Sequence, residues 1–234
     1  MAMDGGMPLA DRLPAHGTIR SRKKTGLRRL LLHPVAKPLL FAACLLPFAW
    51  LVLALFTQQL GANPAEALQH ATGIWALRFL CLALAVTPLR VRTGTPQLAR
   101  FRRMLGLFVF FYACLHLLTY LWFDMWFAWA DIAADIPQRP FILAGFATWL
   151  ALLPLALTST NKMIRRLGAR RWKRLHRLVY AVAALALLHF FWMRSGKHNY
   201  AEVWFYAAII GLLLLERVLR SYQRKRQARV GALR

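Results

Sequence analysis

Six stretches of this chain are each about as long and as apolar as a bilayer is thick. That repetition constrains the fold more than any other feature. They run over about 38–57, 71–89, 104–123, 141–159, 175–193 and 200–219. A helix crossing the hydrocarbon needs roughly 20 mostly apolar residues, and inside lipid only a helix or a closed barrel satisfies its own backbone. Composition agrees, with 59% hydrophobic residues and eight acids in 234. The first, third and fourth stretches carry no charge. The second contains Arg78 and the fifth begins in a basic run. The sixth is charge-free only over 203–215, so Glu202, Glu216 and Arg217 must reach the interface. The expected fold is all-α, an integral membrane bundle of six transmembrane helices.

A net charge of +24 would suit a nucleic-acid binder if it formed one patch. It alternates instead. Eight Lys/Arg lie between Arg12 and Lys37, five in the second loop (Arg90, Arg92, Arg100, Arg102, Arg103), eight from Lys162 to Arg177, and seven from Arg217 onward. The intervening loops hold only Arg139, Arg194 and Lys197, beside Glu66, Asp124, Asp131, Asp135 and Glu202. This is the positive-inside pattern; it places both termini in the cytoplasm and makes membrane lipid, not nucleic acid, the partner of the chain. Residues 1–35 read as a flexible basic tail, 36–220 as the transmembrane domain and 221–234 as a basic C-terminal tail. No long apolar run with a small-residue cleavage site follows the first basic stretch, so the first span reads as an anchor.

Cys44, Cys81 and Cys114 all fall within spans, and there is no CxxC pair, phosphate loop, nucleophile motif or internal repeat. The loops leave no room for a separate catalytic domain, so chemistry must occur within the bundle or on a bound partner.

Three histidines lie in or beside these spans: His116, His176 and His189. A titratable ring in hydrocarbon persists when it is paired or ligated, and imidazole is a usual axial ligand of haem iron. His116 lies 13 residues after Arg103, and His189 13 after His176. At roughly 1.5 Å per residue, His116 and His189 share a depth about 20 Å from the inner face. His176 lies near that face, level with Arg103. Thirteen residues at about 100° each leave two side chains about 140° apart, whereas 14 would align them. The spacing therefore favours one haem over two. The alternative is that each ring is an interhelical hydrogen-bonding residue.

The runs HATGIWALRFLCLALAVTPLR, RRMLGLFVFFYACLHLLTY and LALTSTNKMIRRLGARRWKRLHRLVYAVAALALLHFFW resemble the family of haem-binding membrane subunits of the bacterial periplasmic methionine sulfoxide reductase system, within the ferric-reductase-like transmembrane group. The resemblance covers about residues 38–220. It implies a b-type cytochrome of the bacterial inner membrane. Electrons would pass from a cytoplasmic flavin reductase or the quinone pool to a periplasmic molybdenum-cofactor subunit that reduces methionine sulfoxide in oxidised proteins. It also implies that His116, His176 and His189 are haem ligands, that His70 belongs to the same environment, and that FMN is an associated cofactor with the inner arginines as phosphate partners. The wider group carries two histidines on each ligand helix. Arg103 stands where the inner one is expected on the third span, as a propionate partner or simply a positive-inside charge. Two other classes remain open: a stand-alone ferric reductase, and a cofactor-free proton or ion transporter lined by histidines and Arg78.

Overall fold

The computed structural model describes residues 29–196 and 199–231; most of the basic N-terminal tail lies outside them. Eight α-helices carry the fold: α1 (Ala36–Phe56), α2 (Pro64–Thr93), α3 (Ala99–Thr119), α4 (Trp129–Gln138), α5 (Pro140–Leu157), α6 (Asn161–Leu175), α7 (Leu178–Ser195) and α8 (Ala201–Gly231). No strand occurs among the described residues. Five helical segments are long and apolar enough to cross a membrane, corresponding to α1, α2, α3 with its flanking turns, α5 and α7. The sixth expected span falls in α8, which does not meet that measure. It packs nonetheless along α2 and α7, with Val203, Tyr206 and Ile210 buried. It also runs unbroken to Gly231, so the basic C-terminal segment continues a helix through that residue.

Local chemistry explains the helix ends. Asn63 accepts a bond from the Glu66 amide, with Pro64 at the first helical position, so α2 starts before its apolar stretch does. Gly94 closes α2 in the left-handed conformation (φ 66°). Gly168 (φ 75°, ψ 152°) breaks the basic α6 in its middle. The α3 helix ends in a π-helical turn, Tyr120–Asp124, where Tyr120 donates to Asp135 (2.7 Å) and Asp135 pairs with Arg139. The loop expected after the third span thus contains α4, flanked by the exposed Trp126 and Trp129, an aromatic fringe suited to a membrane interface.

The most extensive helix pairings are α2 with α3 and α5 with α7, and α3 meets α5 between them. Large apolar side chains face outward along α1, including Leu39, Leu46, Trp50 and Leu53. That distribution is expected when lipid, not water, covers the surface. The core forms around Tyr112, fully buried and stacked on Phe79 at 5.1 Å between centroids. Its hydroxyl donates to the Cys44 carbonyl (2.9 Å) and accepts from the Phe48 amide (3.1 Å). Those two groups would bond each other in an uninterrupted helix. Pro47 lies between them, and the tyrosine bridges the opened ladder, as a backbone group without a partner is costly in lipid. Arg78 is likewise satisfied within the bundle: its Nε donates to Tyr206 (3.1 Å) and its guanidinium lies 4.6 Å from the Trp75 ring centre.

Tyr112→Phe should destabilise the detergent-solubilised protein by on the order of 1–3 kcal/mol for the unpaired backbone groups, read as a lower thermal unfolding midpoint. An unchanged midpoint would show that α1 closes its own ladder without the hydroxyl.

Candidate functional site

α3 and α7 converge at the end of the bundle opposite the basic loops. There the rings of His116 and His189 face each other, 5.9 Å apart between centroids with planes crossed at 74°. Each ring is anchored from its far side by a third element. His116 Nδ1 bonds the carbonyl of Gln69 on α2 (2.9 Å), and His189 Nδ1 bonds the carbonyl of Phe141 on α5 (2.6 Å). A carbonyl can only accept, so both Nδ1 atoms carry the proton and both neutral rings present a lone pair at Nε2. No hydrogen bond occupies either Nε2 among the described residues. Each ring of the pair therefore keeps one nitrogen donor, with the ring centres 5.9 Å apart. No group of three His, Cys, Asp or Glu side chains suited to a metal occurs among the described residues. A metal held here would take its other ligands from elsewhere, as a macrocycle-bound metal does.

His70 lies beside this pair in a cleft lined by Asn63, Glu66, Ala67 and Arg194. Arg194 bonds His70 Nε2 at 2.7 Å and pairs with Glu202 at the start of α8. Gln69 donates to Asp124 in the π-turn (3.1 Å), tying α2 to the segment that follows His116. Neighbouring residues on α2 thus serve both sides of the site, Gln69 by its carbonyl and His70 by its ring.

His176 is elsewhere, at the break between α6 and α7. Its ring stacks on Trp172 (3.9 Å, 29°) and its Nδ1 lies 3.1 Å from the Trp172 carbonyl. Trp172 in turn donates its indole N–H to the Thr158 carbonyl (3.0 Å). The His176 Nε2 is buried and makes no hydrogen bond by geometry, while the Leu155 carbonyl lies within electrostatic reach of the ring. Because a break separates His176 from His189, the 140° offset of a straight helix does not govern this pair. It does govern Arg103, which shares the continuous α3 with His116; Arg103 turns away and donates to Asn161 (2.6 Å). Arg102, 14 residues before His116, falls on the aligned face and lies within electrostatic reach of His176, and Arg90 and Arg217 lie within reach of Arg102. Arg217 donates to the Leu84 carbonyl (2.7 Å), while its Nε is buried without a partner.

Sequence reasoning missed Arg102, for which the 14-residue alignment was an available signal. It also missed Gln69 and Phe141, for which there was none, since a backbone carbonyl leaves no mark on the sequence.

Residues 72–187 match the ferric reductase like transmembrane component family, a stretch that takes in His116 and His176 and stops two residues short of His189. The protein-methionine-sulfoxide reductase heme-binding subunit MsrQ of Polaromonas naphthalenivorans (strain CJ2) is 62% identical over 202 residues, 86% of this chain and 92% of that protein. The subunit of the same name from Herminiimonas arsenicoxydans is 51% identical over 189 residues, 81% of this chain and 87% of that protein. That from Rhodospirillum rubrum is 48% identical over 189 residues, covering 81% and 90%. The chain belongs to the MsrQ family. No solved structure matches it. Membership agrees with the five apolar helices in making it a multi-pass membrane protein.

Proposed function

We propose that this chain is a haem b electron-transfer subunit of the bacterial inner membrane, with His116 and His189 as the axial pair of an outer haem. It passes electrons from a cytoplasmic flavin reductase or the quinone pool to a periplasmic molybdenum-cofactor methionine sulfoxide reductase, which repairs oxidised proteins. The observation that carries this reading is the facing pair of rings. Two imidazoles that share one metal ion through Nε2, with metal–nitrogen bonds of about 2 Å, stand about 6 Å apart between ring centres. The observed separation is 5.9 Å, and both Nδ1 atoms are committed to carbonyls. The relatives' name, heme-binding subunit, supports the same reading.

Bound haem supplies one-electron iron chemistry. The chain supplies everything that tunes it. The two Nδ1–H···O=C bonds fix the tautomer of each ligand and raise its basicity, which favours the oxidised metal. No CxxCH motif is present for covalent attachment, consistent with a b-type centre.

At the other end, the buried and unpartnered Nε2 of His176 is a further imidazole donor on the basic side. We read it as the ligand of a second, inner haem. Arg102 and Arg217 are suited to a propionate or to the phosphate of FMN. Arg103 and His70 remain in this reading as cofactor-environment residues, the former at the inner rim beside Asn161 and the latter in the outer cleft. The outer acids are partly spent within the fold: Asp124 on Gln69 and Asp135 on Tyr120 and Arg139. Asp131, exposed on α4, is the acid left for a periplasmic partner. The satisfied state of Arg78 weighs against a proton-path transporter.

Both termini and the loops around Arg90–Arg103 and Lys162–Arg174 should report a cytoplasmic position in reporter fusions; a periplasmic signal from the C-terminus would reverse the depths of all three histidines.

His116→Ala and His189→Ala should each abolish the low-spin signal of the outer haem while the protein still inserts. Two unchanged reduced-minus-oxidised spectra would sink the pairing. His176→Ala should leave the outer centre intact and remove a distinct inner one.

Chemically reduced protein should stay reduced under anaerobic conditions with methionine sulfoxide alone and be reoxidised once the periplasmic subunit is added. Rapid reoxidation by methionine sulfoxide without the partner would make this chain the terminal reductase. Reoxidation by ferric chelates with no response to the partner would make it a ferric reductase.

A further inference from the structure

The seats of His116 and His189 share one construction on two different helices. Gln69 and Gly73 are separated by one turn of α2, and Phe141 and Gly145 by one turn of α5. In an α-helix the carbonyl of residue i accepts from the amide of residue i+4. The Gln69 and Phe141 oxygens therefore take a glycine N–H along their own helix and an imidazole Nδ1–H from the neighbouring one. The ring that makes the second bond lies over the glycine. A Cβ built on Gly73 would stand 3.1 Å from both Cε1 and Nδ1 of His116. One built on Gly145 would stand 2.8 Å from Nδ1 and 2.9 Å from Cε1 of His189. By contrast, a Cβ at Gly106 on α3 or Gly211 on α8 would meet nothing within 4 Å.

We propose that Gly73 and Gly145 are positioning residues for the two imidazoles: the missing Cβ lets each ring lie against the backbone of a neighbouring helix, within hydrogen-bond reach of the carbonyl one turn before. This rests on the haem reading above and adds the part of the chain that sets ligand strength. A methyl group at Gly145 cannot be accommodated without moving the ring, because the colliding atoms belong to the imidazole held on its other side by α7. A methyl at Gly73 requires a shift of a few tenths of an ångström. In both cases the Nδ1–H···O=C bond lengthens or tilts, the imidazole becomes a weaker donor, and the reduced metal gains relative to the oxidised one. The midpoint potential of the outer haem therefore rises. Glycine that merely allows close helix packing would affect stability without selecting one haem or one direction of shift.

The test compares G73A, G145A and the controls G106A and G211A in the full chain, purified from membranes, by haem content, low-spin EPR g values and potentiometric titration. G145A should lose most of the outer haem or show displaced g values. G73A should keep its haem with altered g values and a positive shift in midpoint potential, and both controls should match the wild type. If G145A fails to accumulate in the membrane, G73A decides alone. Wild-type haem content, g values and potential in G73A, together with the same in any recoverable G145A, would overturn the inference and leave the haem reading standing. A wild-type protein that carries no haem would overturn the reading itself, and this inference with it.

Discussion

A polar group in hydrocarbon has to be satisfied by the protein, and the site depends on how that requirement is met for two imidazole N–H groups. Among the described residues, no carboxylate is hydrogen-bonded to either ring. The available acceptors are helix carbonyls, which already accept one bond each and retain a second lone pair. Using them brings a ring against the backbone of the next helix, so the hydrogen bond dictates the close approach of α2 to α3 and of α5 to α7, the two most extensive helix pairings in the bundle. With Nδ1 bonded to a helix carbonyl, Nε2 of each ring keeps its lone pair, and the two ring centres stand 5.9 Å apart. The architecture of the bundle and the chemistry of the site follow from the same two bonds.

The same requirement recurs away from the site. Tyr112 bridges the ladder of α1 opened at Pro47, and Arg78 is held by Tyr206 and the face of Trp75. Arg217 reaches back to the Leu84 carbonyl. Each of these is a polar group made affordable by a partner from a different helix. The groups left without a partner are therefore informative. Among the buried ones are His176 Nε2 and Arg217 Nε at the basic end and Arg194 Nε at the opposite end.

The break at His176 is the other decisive feature. A straight helix from Trp172 to His189 would place the two histidines on different sides. Ending α6 at Leu175 and starting α7 at Leu178 releases the inner ring from that phase relation, while its stack on Trp172 is an i,i+4 contact along α6. On α3 there is no such break, and helical phase alone decides which arginine shares the face of His116: Arg102 does, and Arg103 turns to Asn161.

Much of this was legible in the residues themselves. Hydrophobic length located the spans, because the bilayer sets a length that composition must match, although α2 begins at Pro64, seven residues before the expected stretch. The alternation of Lys and Arg is the basis of the proposed orientation, because charge at each loop is a local property. The matched depth of His116 and His189 followed from a constant rise per residue. What remained hidden were the acceptors at Gln69 and Phe141, the space left by Gly73 and Gly145, and the helical α4 in the outer loop. The limit of the apolar measure at α8 belongs with them, since a helix can join the bundle through one buried face of Val203, Tyr206 and Ile210 while its flanks carry charge. The sequence determined which residues must be buried and how far along each helix they lie. Only the tertiary structure decided what each meets there, because a backbone carbonyl or a missing methyl becomes a partner through the packing of helices distant in the chain.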